Sequence, residues 1–336
     1  MSDMIHIELL KGYYLDEVKK LVTNTNFKPY QYLQNEIPVS KLESHFYKQI
    51  VESLSDKSSI SYVACIGDKV IGLAILKELD WDSDIFGVRM ARIEHLITDE
   101  TIINTEKVKN NLISFICCQC ACSGIEHLSC RVNTDDIASV HALEKSRFRL
   151  MDTLLNYAFD FRKHTTLIED HKPQYKVRLI HKGEDKDIAE VARVAFQNHF
   201  GRFHADKRFP RKKAAELYAE WAKNAYKGYA DCIFVAEVDG RLVGYSVWSE
   251  PGITQQLLGT RIGLYGICGI HPDAHGKGIF KSLTLAGMKW LEGKADIVEG
   301  GTLVNNYPVQ RGYATLGWQI IDARYTFHKW IKSNVV

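Results

Sequence analysis

Short apolar runs broken by two-residue turn signals set the first pattern. Tyr62-Val63-Ala64-Cys65-Ile66, then Gly67-Asp68, then Lys69-Val70-Ile71-Gly72-Leu73 reads as strand, tight turn and strand. Phe234-Val235-Ala236-Glu237-Val238, Asp239-Gly240 and Arg241-Leu242-Val243-Gly244-Tyr245 repeat it. The two hairpins stand 172 positions apart, Val63 to Val235 and Gly72 to Gly244. Arg131-Val132-Asn133 and Leu303-Val304-Asn305 keep that offset. Each of these is followed by a short helical pattern that closes on an apolar or aromatic step, Phe148 in one and Gly317-Trp318 in the other. In a chain of 336 residues an offset close to half the length predicts two copies of one α/β domain, 1–165 and 174–336, joined through the polar stretch Lys163 to Pro173.

The second copy is expected to run as a strand at Lys176 to Ile180, a helix from Glu184 to Phe196 and the hairpin. A strand at Leu264 to Ile270, a helix from Ile279 to Leu291 and a strand at Asp296 to Val304 follow. A helix through Tyr313 and a last strand at Thr326 to Trp330 complete it. Between the middle strand and the next helix the copies differ: the first has Thr98-Asp99-Glu100-Thr101-Ile102-Ile103, without glycine.

Composition narrows the class. With 46% apolar, 25% charged and 11% aromatic residues the chain is globular, not disordered or coiled-coil. Forty-three basic against 41 acidic residues give a net charge of +2, too balanced for a nucleic-acid or membrane-surface partner. The start shows no signal peptide and no apolar run approaches membrane-helix length, which predicts a soluble, cytoplasmic protein. Four of the eight cysteines, Cys117, Cys118, Cys120 and Cys122, fall in one helix-like run. Their side chains would point around that helix instead of converging, so no metal is expected there or elsewhere.

In the second copy the strand runs into Ile270-His271-Pro272-Asp273-Ala274-His275-Gly276-Lys277-Gly278-Ile279-Phe280 and then a helix. Two glycines allow close backbone approach, and the unpaired N–H groups of a helix start favour an anion. No Gly-Lys-Ser/Thr ends the loop, which excludes Walker A, and the glycine spacing excludes the dinucleotide fingerprint.

The loop resembles the pyrophosphate loop of the GCN5-related N-acetyltransferase (GNAT) superfamily, Arg/Gln-x-x-Gly-x-Gly/Ala. Here His275 stands for the first residue and Phe280 closes the run. Asn306-x-x-Val309-x-x-x-Tyr313-x-x-x-Gly317-Trp318 resembles the superfamily's following Asn-x-x-Ala-x-x-x-Tyr-x-x-x-Gly-Phe step. Trp81-Asp82-Ser83-Asp84-Ile85-Phe86-Gly87, Arg202-Phe203-His204, Lys207-Arg208-Phe209 and Leu217-Tyr218-x-x-Trp221-x-x-Asn224-Ala225 are similar to the dTDP-fucosamine acetyltransferase family. The resemblance implies tandem GNAT-like domains, each a central mixed sheet flanked by helices. The first would be degenerate, structural and on the acceptor side; the second would be catalytic and bind acyl-CoA.

It implies further that Ile270, His275, Gly276, Lys277, Gly278, Ile279, Phe280 and Asn306 hold acyl-CoA. The acyl group, acetyl or a short hydroxyacyl, would pass to the 3- or 4-amino group of a dTDP-linked amino-dideoxyhexose for surface polysaccharide such as lipopolysaccharide O-antigen. Tyr313 occupies the position of the general acid, where a phenol can donate to the departing thiolate; the structural alternative is a tyrosine packed in the core. For Asn306 the alternative is a helix cap. Three glycines at 263, 266 and 269 suggest irregular pairing and a backbone donor for the oxyanion. His199, His204 and Glu250 are candidate bases, none preferred.

Between Gly201 and Lys213 six basic side chains face one acid, Asp206, an excess of five positive charges. With Phe203, Phe209, Tyr218 and Trp221 interleaved, the segment suits a nucleotide diphosphate: Arg202 and Arg208 to phosphate, rings to the base. Trp81, Phe86 and His204 are assigned to the same acceptor. Two alternatives are acylation of a peptide or protein amine, disfavoured for basic tails by like charge, and a non-catalytic CoA-binding module.

Overall fold

The computed structural model describes residues 4–102, 104–164, 175–252 and 256–331. Most of the joint expected between Lys163 and Pro173, and Ile103 of the first copy's loop, lie outside the described residues. The strands are β1 (His6–Leu9), β2 (Ser59–Ile66), β3 (Lys69–Glu78), β4 (Met90–Thr98), β5 (His127–Asn133), β6 (Arg149–Asp160), β7 (Val177–Leu179), β8 (Cys232–Val238), β9 (Arg241–Ser249), β10 (Ile262–Ile270), β11 (Ile297–Leu303) and β12 (Gln319–Trp330). The helices that matter below are α1 (Leu15–Asn24), α2 (Val39–Ser55), α3 (Asp80–Phe86), α4 (Thr105–Ser123) and α5 (Ile137–Lys145). In the second half they are α6 (Asp185–Ala195), α7 (Arg202–Ala205), α8 (Arg211–Asn224), α9 (Ile279–Leu291) and α10 (Tyr307–Thr315). The expected α/β class and the two-fold repeat are both present, but the offset of 172 holds only as far as β4 and β10: β5 and β11, α5 and α10, and β6 and β12 begin 170 positions apart, so Leu303-Val304-Asn305 is not the counterpart of Arg131-Val132-Asn133.

The repeat extends to irregularities. Asp239 and Gly240 both take positive φ in the second hairpin turn, as Gly67 does in the first. Both hairpins carry a register shift at the same place, between Ala64 and Cys65 in one and between Ala236 and Glu237 in the other. Strand β12 begins seven residues earlier than its apolar pattern suggested, because its first half alternates in burial only weakly.

The chain divides into two compact units, and these are not its two halves. One comprises the residues up to Met151 together with those from Arg324 onward; the other is Asp152–Ala323. The first unit has strand order β1-β2-β3-β4-β5-β12, with β12 antiparallel to β5 from Arg324↔Asn133 to Trp330↔His127. The second has β7-β8-β9-β10-β11-β6, with β6 antiparallel to β11 from Ile297↔Asp160 to Leu303↔Leu154. Each half therefore gives its last strand to the other unit. Two strands of the same pattern satisfy either sheet edge, so sequence similarity alone assigned them to their own halves.

The first unit buries Ile71, Leu112, Ile116, Leu128 and Phe327 on one face of its sheet and Leu21, Phe46, Leu73 and Ile75 on the other. In α4 Cys120 is buried while Cys118 and Cys122 are exposed, the divergence expected of one helix. The second unit centres on Trp248 stacked on Tyr265, ring centroids 4.0 Å apart and 9° from parallel, a pair worth roughly 1 kcal/mol beyond its burial. A Cβ on Gly287 of α9 would lie 1.8 Å from Trp248, so only glycine lets this helix reach the sheet. No described helix is long and apolar enough to cross a membrane.

Candidate active site

The site begins as a gap between two strands. Strand β10 pairs with β11 in parallel only from Ile262↔Ile297 to Tyr265↔Gly300. On its other side Tyr265 faces Trp248 and Cys268 faces Ser246, so Gly266 and Ile267 stand against Val247 alone. This is a β-bulge in the glycine-rich stretch where irregular pairing was expected, and it bends the strand. Beyond Tyr265 the ladder between β10 and β11 is open among the described residues.

At the mouth of the gap lies the glycine loop. Pro272–Ala274 form one 3-10 turn, and the His275 ring Nε2 donates to the Ile270 carbonyl at 3.1 Å, closing the loop on the strand it leaves. Gly276 and Gly278 take φ of +75° and +77°, conformations a side chain would strain. Nothing stands within 4 Å of a Cβ placed on Gly276, which leaves the backbone open to a ligand. The N–H groups of Gly276, Lys277 and Gly278 make no backbone hydrogen bond among the described residues, and those of Ile279, Phe280 and Lys281 open α9. Six consecutive amides without a backbone partner at a helix start can hold an anion such as a pyrophosphate. Phe280 does not crowd them: its ring packs 5.5 Å from Tyr313 and over Gly312.

Tyr313 reaches the inner end of the gap from α10. It is 3% exposed, its ring within 4.8 Å of both Tyr157 and Trp318. Burial pushes its phenol far above the ordinary tyrosine range, so the hydroxyl keeps its proton at physiological pH. Its hydroxyl stands 3.0 Å from where a Cβ on Gly300 would be. Asn306 occupies the N-cap position of α10 without capping; its Nδ2 donates instead to Thr302 Oγ1 at 2.9 Å.

The same places in the first unit are filled. Between β4 and α4 the connection is two residues shorter than between β10 and α9, and positive φ at its end falls on Asn104. Asp99 turns back on this connection, its Oδ1 accepting from Thr101 N at 3.1 Å and its Oδ2 meeting Lys69 at 3.0 Å. Lys109, 1% exposed, donates to Asp136 at 2.7 Å and lies 3.4 Å from Glu100. Counted from the helix starts, Asp136 before α5 stands where the second unit has Asn306 before α10, and Leu143 where it has Tyr313.

The acceptor residues divide. Arg202 lies 4.6 Å over the Phe203 ring and its backbone N–H donates to Asp152. Phe203 and Phe209 are both buried, edge to face at 5.3 Å, and so are core side chains and not a platform for a base. The interleaving of charges and rings could not tell which way the rings point. Tyr218 is half-buried, stacked on Phe196 at 4.1 Å, while Trp221 is 45% exposed and Arg208 is exposed. His204 is buried beside Tyr218. In the first unit Phe86 is likewise buried, a core residue of α3, and Trp81 is partly exposed. Of the candidate bases, burial among aromatic rings lowers His199 to about 4, and Glu250 is paired with Lys294 at 2.7 Å.

Tyr157, Tyr265 and Gly300 were missed. The adjacent pair Gly300-Gly301 inside a strand pattern was a usable signal. Tyr157 carried none, since it lies in the half of the sequence that supplies the other unit.

No family model matches the chain. A spore coat polysaccharide biosynthesis protein, SpsD, of Bacillus subtilis is 24% identical over 202 residues, 60% of this chain and 65% of that protein. A mycothiol acetyltransferase of Saccharomonospora viridis is 35% identical over 101 residues, 28% of this chain and 31% of that one. The matches thus span less than two thirds of either relative. Among solved structures, a tandem GNAT protein from the clavulanic acid biosynthesis pathway superposes with a TM-score of 0.60 at 15% identity, covering 98% of this chain and 99% of that one. A GCN5-related N-acetyltransferase from Sphaerobacter thermophilus gives 0.59 at 12% identity, covering 99% and 97%. A GCN5-related glucosamine N-acetyltransferase region of a fungal β-N-acetylglucosaminidase gives 0.63 at 14%, covering 98% of this chain and 38% of that one. The chain has the tandem GNAT fold.

Proposed function

We propose that the second unit is an N-acyltransferase that moves an acyl group from acyl-CoA to the amino group of a dTDP-linked amino-dideoxyhexose. One observation carries this reading: the amides of Gly276 to Lys281, which have no backbone partner among the described residues, and the Tyr313 hydroxyl lie in a single unit, at the mouth and at the inner end of one gap between strands. The amides suit the pyrophosphate of CoA, and the gap suits its thioester arm. The donor set fits that group, since it offers backbone N–H and no carboxylate.

The amine nitrogen attacks the thioester carbonyl, the carbon–sulfur bond breaks, and the Tyr313 O–H gives its proton to the leaving sulfur. The desolvation that holds the proton on Tyr313 also makes a thiolate expelled beside it more basic, which favours the transfer. The amine's own proton leaves to solvent, and solvent returns a proton to the Tyr313 oxygen, which restores the donor for the next turnover. A backbone N–H of the bulged Gly266–Gly269 stretch meets the oxyanion.

The first unit does not bind CoA in this reading, because Asp99, Glu100 and Lys109 occupy the corresponding positions. The acceptor class rests on the basic Arg202 to Lys213 segment, the exposed Arg208 and Trp221, and the likeness to a spore coat polysaccharide protein. Transfer to surface polysaccharide precursors in the cytoplasm follows from the same reading. A thiol-release assay with acetyl-CoA tests it, using dTDP-amino-dideoxyhexoses, free amino sugars and peptides as acceptors. Turnover greatest with the dTDP-sugars is expected. Turnover greatest with peptides overturns the acceptor, and CoA binding without turnover on any amine leaves a binding module.

A further inference from the structure

We propose that His6, Glu8 and Cys65 of the first unit form a binding site for a divalent transition-metal ion of the zinc class. The site depends neither on the acyltransferase reading nor on the second unit. It arises from one register: β1 is antiparallel to β2 with His6 opposite Cys65 and Glu8 opposite Val63. Residues two apart on a strand share a face, and directly opposed residues share it too, so all three side chains leave the sheet on one side. One donor atom from each lies within 4.8 Å of the other two, and His6 Nε2 is 3.8 Å from Glu8 Oε1. Donors around a tetrahedral zinc ion are roughly 3.3 to 3.8 Å apart, so the set must close by only about 1 Å.

The three are graded in depth. Cys65 is fully buried and forms the floor, Glu8 is partly exposed, and the His6 side chain is half exposed, free to rotate over an entering ion. Imidazole, carboxylate and thiolate together suit a borderline ion and not calcium or magnesium, which take all-oxygen sets. Two groups already address Glu8: Lys11 Nζ at 2.7 Å from Oε2 and the Tyr14 hydroxyl at 2.5 Å from Oε1. Without an ion, the Lys11 ammonium supplies the positive charge that Glu8 requires. As the ion enters, the Cys65 S–H bond gives way to a metal–sulfur bond, its proton goes to solvent, and Lys11 swings outward. No electron is transferred, and water completes the coordination. The ion would clamp β1, a four-residue strand at the edge of the sheet, to its neighbour.

The test is a cobalt(II) titration of the untagged, metal-free full chain, followed by competition with zinc(II). One equivalent should produce a thiolate-to-cobalt charge-transfer band together with the visible bands of a four-coordinate ion. Cys65→Ser should remove the charge-transfer band. His6→Ala, at an exposed position that leaves the core intact, should weaken zinc binding by about tenfold or more. Lys11→Met removes the competing cation and should tighten binding up to about fivefold. A band that persists in Cys65→Ser places the ion on another cysteine and overturns the proposal. So does the absence of any band in the wild type, or zinc affinity unchanged in His6→Ala.

Discussion

The Tyr313 hydroxyl stands against Gly300, 3.0 Å from where that residue's Cβ would be, and Gly300 is the last residue of β11 paired in parallel with β10. The candidate acid therefore sits where the two strands part. A methyl there also meets Tyr265 Cβ at 3.1 Å and Trp318 at 3.4 Å, so nothing nearby yields easily. Gly300→Ala should displace the hydroxyl and lower kcat by about tenfold or more while thermal stability changes modestly. Steady-state kinetics beside a melting curve check this; unchanged kcat would separate Tyr313 from the chemistry.

Tyr313→Phe keeps the ring among Tyr157, Phe280 and Trp318 and removes only the proton. We expect kcat to fall by roughly 10²-fold or more with the acyl-CoA KM nearly constant. Tyr157→Leu tests the support for that ring, 4.8 Å away. It should lower kcat less, by about three- to tenfold, and Tyr157→Phe should restore most of the loss.

Gly278→Val forces a β-branched side chain into φ of +77° at the start of α9 and should raise the acyl-CoA KM by about tenfold or more. Asn104→Val, at the matching helix start of the first unit, should leave that KM unchanged. Parallel saturation curves decide whether one unit or both bind CoA.

Arg208→Ala should raise the acceptor KM by about 10-fold to 100-fold, the worth of one charge-assisted phosphate contact, without moving the acyl-CoA KM. Trp221→Ala should erode the preference for a dTDP-sugar over the free sugar. A shift confined to the CoA curve would assign the basic segment to the other substrate.

His95 and His199 are both held near a pKa of about 4 by burial, against 6.5 for an unperturbed ring. Between these values the unfolded chain binds protons that the folded chain does not. Stability therefore falls as pH drops below 6.5, by up to about 1.4 kcal/mol per pH unit for each ring. His95→Gln, replacing a ring that faces Ser53 Oγ at 3.2 Å, should remove its own share of that slope, up to about 1.4 kcal/mol per pH unit between pH 6.5 and 5, in denaturant titrations.

Much of this protein was legible before folding. The hairpins, the glycine loop, the helix that carries Tyr313 and the near-twofold repeat all rest on interactions between residues close in sequence. Turn geometry, helix starts and strand alternation are set within a few positions, so the string of residues suffices for them. The loss of the glycines in the first copy was visible in the same way. Three other features belong to the tertiary structure alone. Which sheet receives β6 and β12 depends on edges that either strand could pair with, and the answer brings Tyr157 from the first half of the chain to Tyr313 in the second unit. The direction of the Phe203 and Phe209 rings depends on what packs against α7 and α8, and it turns an expected binding platform into core. The His6, Glu8 and Cys65 cluster depends on the register of β1 against β2. A shift of one residue would send Cys65 and His6 to opposite faces, and no local pattern specifies that register.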